Sequence, residues 1–466
     1  MNQNLRSTQG CLQFTFLLLL SGCATTPRLN FESVPALNAQ VRVYTFKNLE
    51  PLARAYFPNE FMYREGGWSG ASRVQTSPGA YSKDEIWTIN DRGLNLYLEK
   101  KDSTKEAQFA DGDRYFPWPA HQQQLFKIRL NNNPDRSQKS GFGVVVERLG
   151  IRENGLPVSG LPSALENLST GEHGWELRTP QGPFVQLPNS LQGYDFEGVA
   201  QDFDEKGQRE FWFVEEYGPS IFKAGASGQI VRRWSPARDF KAQMSKQSPS
   251  PALPWSLRHR TDNRGFEGVA VSGTAVFAAM QSPLSAKGGP SKETGHGNPE
   301  TPIHRIIRLD RKTGKVEQFA YNHTNASVAA GSKHEDVKIG DLAAIDRSGQ
   351  RFLVLEHSKK RRHMMLIEAQ ITSDTTQLED SIDYEAGRRP YKPLETRIVA
   401  NLAPFLENYE FPEKAEGITV LDDKTLLIVF DNDHCIEPLL AKKSAAKECE
   451  NLVVTISLDS PLYAGP

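Results

Sequence analysis

Along most of the chain, short runs of β-branched, aromatic and aliphatic residues alternate with turns rich in Gly, Pro, Asn and Asp. Few segments carry an apolar stripe at the helical period, so the pattern predicts an all-β protein whose helices are short and confined to loops. The runs recur with a signature. Phe196-Glu197-Gly198-Val199-Ala200, Phe266-Glu267-Gly268-Val269-Ala270 and Ala415-Glu416-Gly417-Ile418-Thr419 share it, and Gly340-Asp341-Leu342-Ala343-Ala344 keeps the acid and the apolar tail. Gly66-Gly67-Trp68-Ser69-Gly70 keeps only the small residues.

Each signature is followed by a β-rich run that ends in polar residues: 86–90 before Asp91-Arg92-Gly93, 211–214 before Glu215-Glu216, 276–280 before Gln281, 352–355 before Glu356-His357, and 426–430 before Asp431-Asn432-Asp433. Further strand candidates follow at 125–130, 304–309 and 363–371, and often a fourth, as at 144–148 and 316–321. Four antiparallel strands per unit, repeated, make a β-propeller blade. The acids at 197, 267, 341 and 416 lie 70, 74 and 75 residues apart, and the 130 residues from Gly67 to Glu197 leave room for one degenerate blade, so five or six blades are expected. Two strand-like segments lie outside the repeats, 41–46 (VRVYTF) and 452–458 (LVVTISL). A ring must be fastened because an open edge exposes unpaired strand groups, and these two segments are expected to share one blade.

The first residues read as an export signal: Arg6, then an apolar stretch at 11–20 too short to span a bilayer. Leu20-Ser21-Gly22-Cys23 resembles a bacterial lipobox, in which Cys23 is acylated after cleavage. The expected organisation is a signal peptide over 1–22, a lipidated tether over 23–40 and a single propeller over 41–466, anchored in the cell envelope at the outer membrane facing the periplasm. Of the remaining cysteines, Cys435 and Cys449 form an even pair in a disulfide-permissive compartment and are expected to bridge.

Charge and motifs then narrow the chemistry. With 55 Lys and Arg against 57 Asp and Glu, the chain offers no bulk positive field to a nucleic acid, and none is expected as a partner. There is no G-x-S-x-G, H-E-x-x-H, Walker loop or helix-opening G-x-G-x-x-G. Asp202 to Gly207 looks like half a calcium loop but reads as a turn, and Lys359 to Arg362 reads as a solvated hairpin. The first strand of a propeller blade lines the central channel, so the repeated Glu-Gly places carboxylates near one rim. Such a ring needs an Arg, shared protons or a bound cation; oxygen-only ligands point to Ca²⁺. The alternative is that these acids cap backbone N–H groups and have no catalytic part.

Taken in order, YDFEGVA with FWFVEEYGPSIF, NRGFEGVAV with FAAMQSPL, DLAAI with FLVLEHS, and KAEGITV with LLIVFDND resemble the phytase-like family named for an "esterase-like activity of phytase". GGWSG and TINDRG fit its opening, and the resemblance runs from about Gly66 to Asp433. It implies an exported β-propeller hydrolysing phosphoric or related esters. His357 stands where Arg often follows the Glu, and the 282–302 loop interrupts the third motif. On this reading Glu215, Glu216, Glu356 and Asp431 are the catalytic candidates. Asp91, Glu197, Glu267, Glu416 and Asp433 are Ca²⁺ ligands, and Arg92, Arg264 and Gln281 bind a small phosphoester or ester substrate. The protein is expected to act as a monomer. A non-catalytic, lipid-anchored propeller that binds an envelope glycan or protein is the alternative, and a quinone-dependent sugar oxidoreductase a third.

Overall fold

The computed structural model describes residues 38–463 apart from 47–48, 57–60, 99–102, 104–106, 111, 133–139, 165–171, 248–249, 262, 287–300, 324–335, 359–362, 407–413, 433 and 435–450. Cys23, Cys435, Cys449, Asp433 and the expected signal peptide lie outside the described residues.

Strands dominate, and the protein is an all-β propeller. Among the described residues the strands form five four-stranded units. The first blade is Trp68–Ser77, Ala80–Asn90, Gln124–Asn132 and Ser140–Gly150. The second is Phe196–Phe203, Arg209–Glu215, Ser220–Gly225 and Gln229–Pro236. The third is Phe266–Ser272, Ala275–Met280, Ile303–Asp310 and Val316–Asn322. The fourth is Val337–Ala344, Arg351–Ser358, Met364–Gln370 and Glu395–Asn401. The fifth takes Lys414–Val420, Thr425–Asp431 and Leu452–Leu458 from the C-terminal end and Ala39–Phe46 from the N-terminal end.

The closure is therefore made by exchange of ends, as the alternation of VRVYTF suggested: Ala39–Phe46 runs antiparallel to Leu452–Leu458, with Val41 opposite Ile456. The same strand also pairs in parallel with Ser140–Gly150, so the first and fifth blades share one eight-stranded sheet. The long interval before Glu197 holds no sixth blade among the described residues. Its short strands Leu96–Tyr97, Arg114–Tyr115, Gly174–Leu177 and Phe184–Gln186 build a small separate sheet. That sheet covers its own apolar cluster of Leu96, Phe109, Tyr115 and Trp175.

Each second strand is sandwiched between two neighbouring blades, so its alternate residues enter different cores. Trp212 and Val214 pack toward the third blade, whereas Phe211 and Phe213 pack toward the first. Likewise Leu426, Ile428 and Phe430 face the fourth blade, and Leu427 and Val429 face the first. This is why these strands read as unbroken apolar runs. Aromatic contacts stitch adjacent blades, Trp87 to Phe211 at 5.1 Å and Phe277 to Phe352 at 4.6 Å between ring centroids. Each such ring withdrawn from water contributes roughly 1.5–3 kcal/mol.

At the axis the inner strands almost touch. A Cβ on Gly198 would stand 2.8 Å from the Glu267 carbonyl oxygen, and one on Gly417 2.7 Å from the Gly70 carbonyl carbon, so no larger residue fits. The fourth blade breaks the pattern: its bulge falls between Ile339 and Asp341, which puts Gly340 in the place of the repeated Glu and Asp341 in the place of the glycine. The Asp341 carboxylate lies on the axis and accepts the N–H groups of Ala71, Val269, Leu342 and Ile418 at 2.8–3.3 Å. This one-residue shift sets Asp341 apart from the ring of glutamates. Asp341 plugs the channel instead.

Candidate functional site

On one side of the plug, the first strands carry a bulge at Glu197, Glu267, Gly340 and Glu416. A bulge adds an unpaired residue and re-aims its side chain. Here it turns the three glutamates inward. Oxygens of Glu197, Glu267 and Glu416 lie within 4.8 Å of one another, and a second trio of Asp195, Glu197 and Glu216 satisfies the same spacing. Glu197 belongs to both. All of these acids are buried. At an effective dielectric near 20, two full charges at such a distance repel by about 3 kcal/mol.

Burial and mutual repulsion act together on the carboxyl groups. Burial first, then Asp195, Glu267, Glu216 and Glu416, raises Glu197 well above the usual range. Glu267 is raised well above it too, by burial and then by Glu216 and Glu416, with Lys338 and the Gln281 amide opposing. Asp195 is raised to about 6, mainly by burial, against the pull of Arg92. Glu267 Oε2 and Gln281 Oε1 are buried without a hydrogen-bond partner among the described residues. An all-oxygen donor set with an orphaned buried carboxylate oxygen fits a hard divalent cation such as Ca²⁺.

The second-strand ends supply the next tier: Asp91, Glu216, Gln281, His357 and Asp431 occupy equivalent positions, each beside the residue three before the axial glycine or Asp341. The partners of these five are Gly67, Asp195, Gly265, Lys338 and Lys414. The mouth is thus divided. Carboxylates gather at the second blade, and cations gather at the fourth and fifth, where Lys338, Lys414 and Arg264 influence one another. Lys338 is lowered to about 8 by burial and by these two cations, and its ammonium has no hydrogen-bond or ion-pair partner among the described residues. Lys414 Nζ lies 3.2 Å from Asp431 and 3.8 Å from Glu416. His357 is 3% exposed, with neither ring nitrogen partnered among the described residues. Burial, followed by Lys338, His363, Arg264 and Lys414, lowers it to about 3, so it is a neutral imidazole at physiological pH.

The sequence-predicted residues divide in the same way. Glu197, Glu216, Glu267, Glu416, Asp431 and Gln281 come together at the mouth, with Arg264 and Asp91 beside them. Arg264 reaches Ser282 Oγ at 3.4 Å, and Asp91 holds the Gly93 N–H at 2.7 Å and faces His434 Nε2 at 3.3 Å. Glu215 and Glu356 sit one residue earlier and so point off the axis. Glu215 caps the turn by accepting the N–H groups of Tyr217 and Gly218, and Glu356 accepts the Tyr321 hydroxyl and faces His363. Arg92 is buried and its guanidinium is committed to Glu172, Asp195, Tyr217 and Asn263, which makes it a brace of the acidic half and not a free anion donor. Asp195, Lys338, Lys414 and His357 were not anticipated as site residues. Their signal lies in position, three before the inner glycine or Asp341 for Asp195, Lys338 and Lys414 and at the end of the second strand for His357, and the residue types there do not repeat.

A family model described as "Phytase-like: Esterase-like activity of phytase" matches residues 64–434. A curated relative, an uncharacterized secreted protein of Arthroderma benhamiae, is 31% identical over 99 residues, covering 18% of this chain and 19% of that protein. Among solved structures, the PQQ-bound aldose sugar dehydrogenase of Streptomyces coelicolor aligns over 92% of this chain and 100% of its own at 10% identity, with a TM-score of 0.31. A protein of unknown function from Dyadobacter fermentans aligns over 88% and 98% at 10% identity, and the intramolecular trans-sialidase of Ruminococcus gnavus over 86% and 96% at 7%, both also at TM-score 0.31. Neither ligand nor reaction is carried over from these three.

Proposed function

The chain belongs to the phytase-like family, and from that premise we propose that it is an exported, Ca²⁺-assisted hydrolase of phosphoric or related esters. The observation that carries the reading is the divided mouth: two buried carboxylate trios sharing Glu197 lie opposite Lys338, whose ammonium makes no ion pair among the described residues and feels the charge of Glu267 and Glu416. Glu197, Glu267 and Glu416, with Asp195 and Glu216 beside them, would hold the cation. When bound, Ca²⁺ would polarise a phosphoryl or acyl oxygen and acidify a water. Lys338, with Arg264 and Lys414 behind it, draws the negative charge of the ester toward the cationic half. The neutral His357 imidazole, with both nitrogens unspent among the described residues, can hydrogen-bond the attacking water or the leaving oxygen. Arg92 keeps Asp195 in place, and Asp341 shuts the axis so that solvent reaches the mouth from one side.

Anchoring extends the same reading. The secreted description of the Arthroderma protein agrees with export, and acylation of Cys23 in the LSGC motif would tether the propeller to the envelope. The test is turnover by the purified chain, with and without Ca²⁺, across phosphomonoesters, phosphodiesters and carboxyl esters. Calcium-dependent turnover that Glu197→Gln abolishes supports the hydrolase. Calcium binding with no turnover on any of these overturns it in favour of a propeller that only binds an envelope partner.

A further inference from the structure

Behind the plug, on the side of the channel opposite the carboxylate mouth, the inner strands diverge again and enclose a cavity of about 300 Å³. That is the lower end of the range for small-molecule sites. Its apolar lining is carried by Val271, Ile345 and Val420, which are partly exposed, while Val199, Leu342 and Ile418, the residues that follow the axial glycines and Asp341, are packed into the blade cores. Its wall is basic and aromatic: Arg73, Tyr81 and Arg347 lie together, with the Arg73 guanidinium 5.1 Å from the Tyr81 ring centroid. Arg347 Nη1 lies against the Gly79 turn, where a Cβ would meet it at 3.7 Å, on the hairpin that presents Tyr81.

The acids around this cavity are already spoken for. Asp202 holds Arg311 at 2.8 Å and the Gln75 amide at 3.0 Å. Asp346 accepts the Ser348 N–H and hydroxyl and faces Arg351 at 3.5 Å. Asp422 caps the turn through the N–H groups of Lys424 and Thr425, and its charge also reaches Arg73. The arginines keep donors in reserve. Arg73 spends its Nε on the Ser82 carbonyl, and its terminal nitrogens, all of Arg347 and the Tyr81 hydroxyl have no hydrogen-bond or ion-pair partner among the described residues.

We propose that this rear cavity is a second binding site, separate from the carboxylate mouth, for a small organic carboxylate whose apolar or aromatic body rests against Val271, Ile345 and Val420. Its carboxylate is received by Arg73 and Arg347. A guanidinium presents paired donors that match a carboxylate, and two guanidinium groups lining one small cavity disfavour a cationic ligand. The site stands whatever reaction the mouth performs, because the Asp341 plug divides the two.

Benzoate is a suitable probe and benzamide its uncharged counterpart, with binding to the full chain followed by ligand-observed NMR titration. Benzoate should bind saturably, benzamide at least tenfold more weakly, and Arg73→Met should weaken benzoate at least tenfold. Arg347→Met, at an exposed position with no packing to lose, should weaken it several-fold, which keeps the test open if the Arg73 variant folds poorly. Lys338→Met, at the opposite mouth, should leave benzoate affinity unchanged. The proposal is overturned if benzoate does not saturate, if benzamide binds equally well, if Arg347→Met binds as tightly as wild type, or if Lys338→Met is the variant that abolishes binding.

Discussion

Asp341 accepts the N–H of Ala71 at 3.2 Å although the two residues are 270 positions apart and belong to non-adjacent blades. With three further N–H donors on the same carboxylate, one side chain ties four of the five inner strands together at the axis. Burial raises the pKa of this group, and the four donors oppose that shift.

Replacing Asp341 by Asn keeps the shape but offers one acceptor oxygen where there were two. The new NH₂ faces backbone donors, and leaving buried N–H groups unpaired costs about 2–4 kcal/mol in total. Urea unfolding should show a lower midpoint with an unchanged slope. A midpoint equal to that of the wild type would mean that the axis is held by glycine packing alone.

In the absence of divalent cations, thermal stability should fall as pH rises from about 6.5 to about 8. Asp195 and Glu215 have folded-state values raised to about 6 and about 8, and Glu197 and Glu267 are raised further. A raised carboxyl binds its proton more tightly in the folded state, so its cost is absent below its ordinary value, grows as pH rises from there to the raised value and is constant above it. Asp195 is spent by about pH 6, and Glu215, Glu197 and Glu267 carry the fall between about 6.5 and 8. The buried histidines act in the opposite sense. His121 and His357 are lowered to about 3 and His304 to about 4, and they lose stability only as pH drops below their ordinary value of 6.5. Calorimetry in EDTA reads both limbs; a melting temperature that is flat or rising between pH 6.5 and 8 would show that the carboxyl groups are not repelling one another.

Ca²⁺ should raise the melting temperature in proportion to the logarithm of its concentration above Kd. Because Glu197 is common to both trios, Glu197→Gln should remove the shift, whereas Glu267→Gln breaks one trio and should retain part of it. Equal effects of the two variants would argue for a single shared ion. Full retention in Glu197→Gln would show that the cation binds elsewhere.

Deleting Ala39–Phe46 removes the partner of both Leu452–Leu458 and Ser140–Gly150. Two edges open where there were none, and the expected result is a broad, non-cooperative melt with aggregation. A sharp native-like transition would mean that side-chain packing closes the ring unaided.

Cys23→Ser should move the exported protein from the detergent phase to the aqueous phase on Triton X-114 partitioning. Identical partitioning of the two forms would rule out acylation at this position.

Much of the propeller was readable because the second strands of the later blades are buried on both faces, which makes FWFV and LLIVF stand out as unbroken apolar runs. The end-exchange closure was readable from alternation in VRVYTF. What escaped was register. A bulge shifts the count by one residue, and GDLAA looks like the glutamate signature although its Asp341 occupies the glycine position. The mouth was half legible for a related reason. Repeated glutamates advertise themselves, but Gly67, Asp195, Gly265, Lys338 and Lys414 share a position without sharing a chemistry, so only the pairing of strands shows that Lys338 faces the carboxylates. Arg92 failed as an anion donor because its partners Glu172 and Asn263 come from segments far from it in sequence.

The union of the two chain ends in one blade also sets a clock on biogenesis. Asn38 and Asp459, hydrogen-bonded in the finished ring, are 421 residues apart. At a synthesis rate of roughly 5–20 residues per second, the first closing strand waits on the order of 20–80 s before its partner exists. The earlier blades can pair within themselves as they emerge, but the ring cannot shut until the last strand is free of the ribosome. During that wait the edge of VRVYTF that Leu452–Leu458 will cover is unpaired, so a holding chaperone would have its strongest claim on this segment, and release of the C-terminal end becomes the event that commits the protein to its fold.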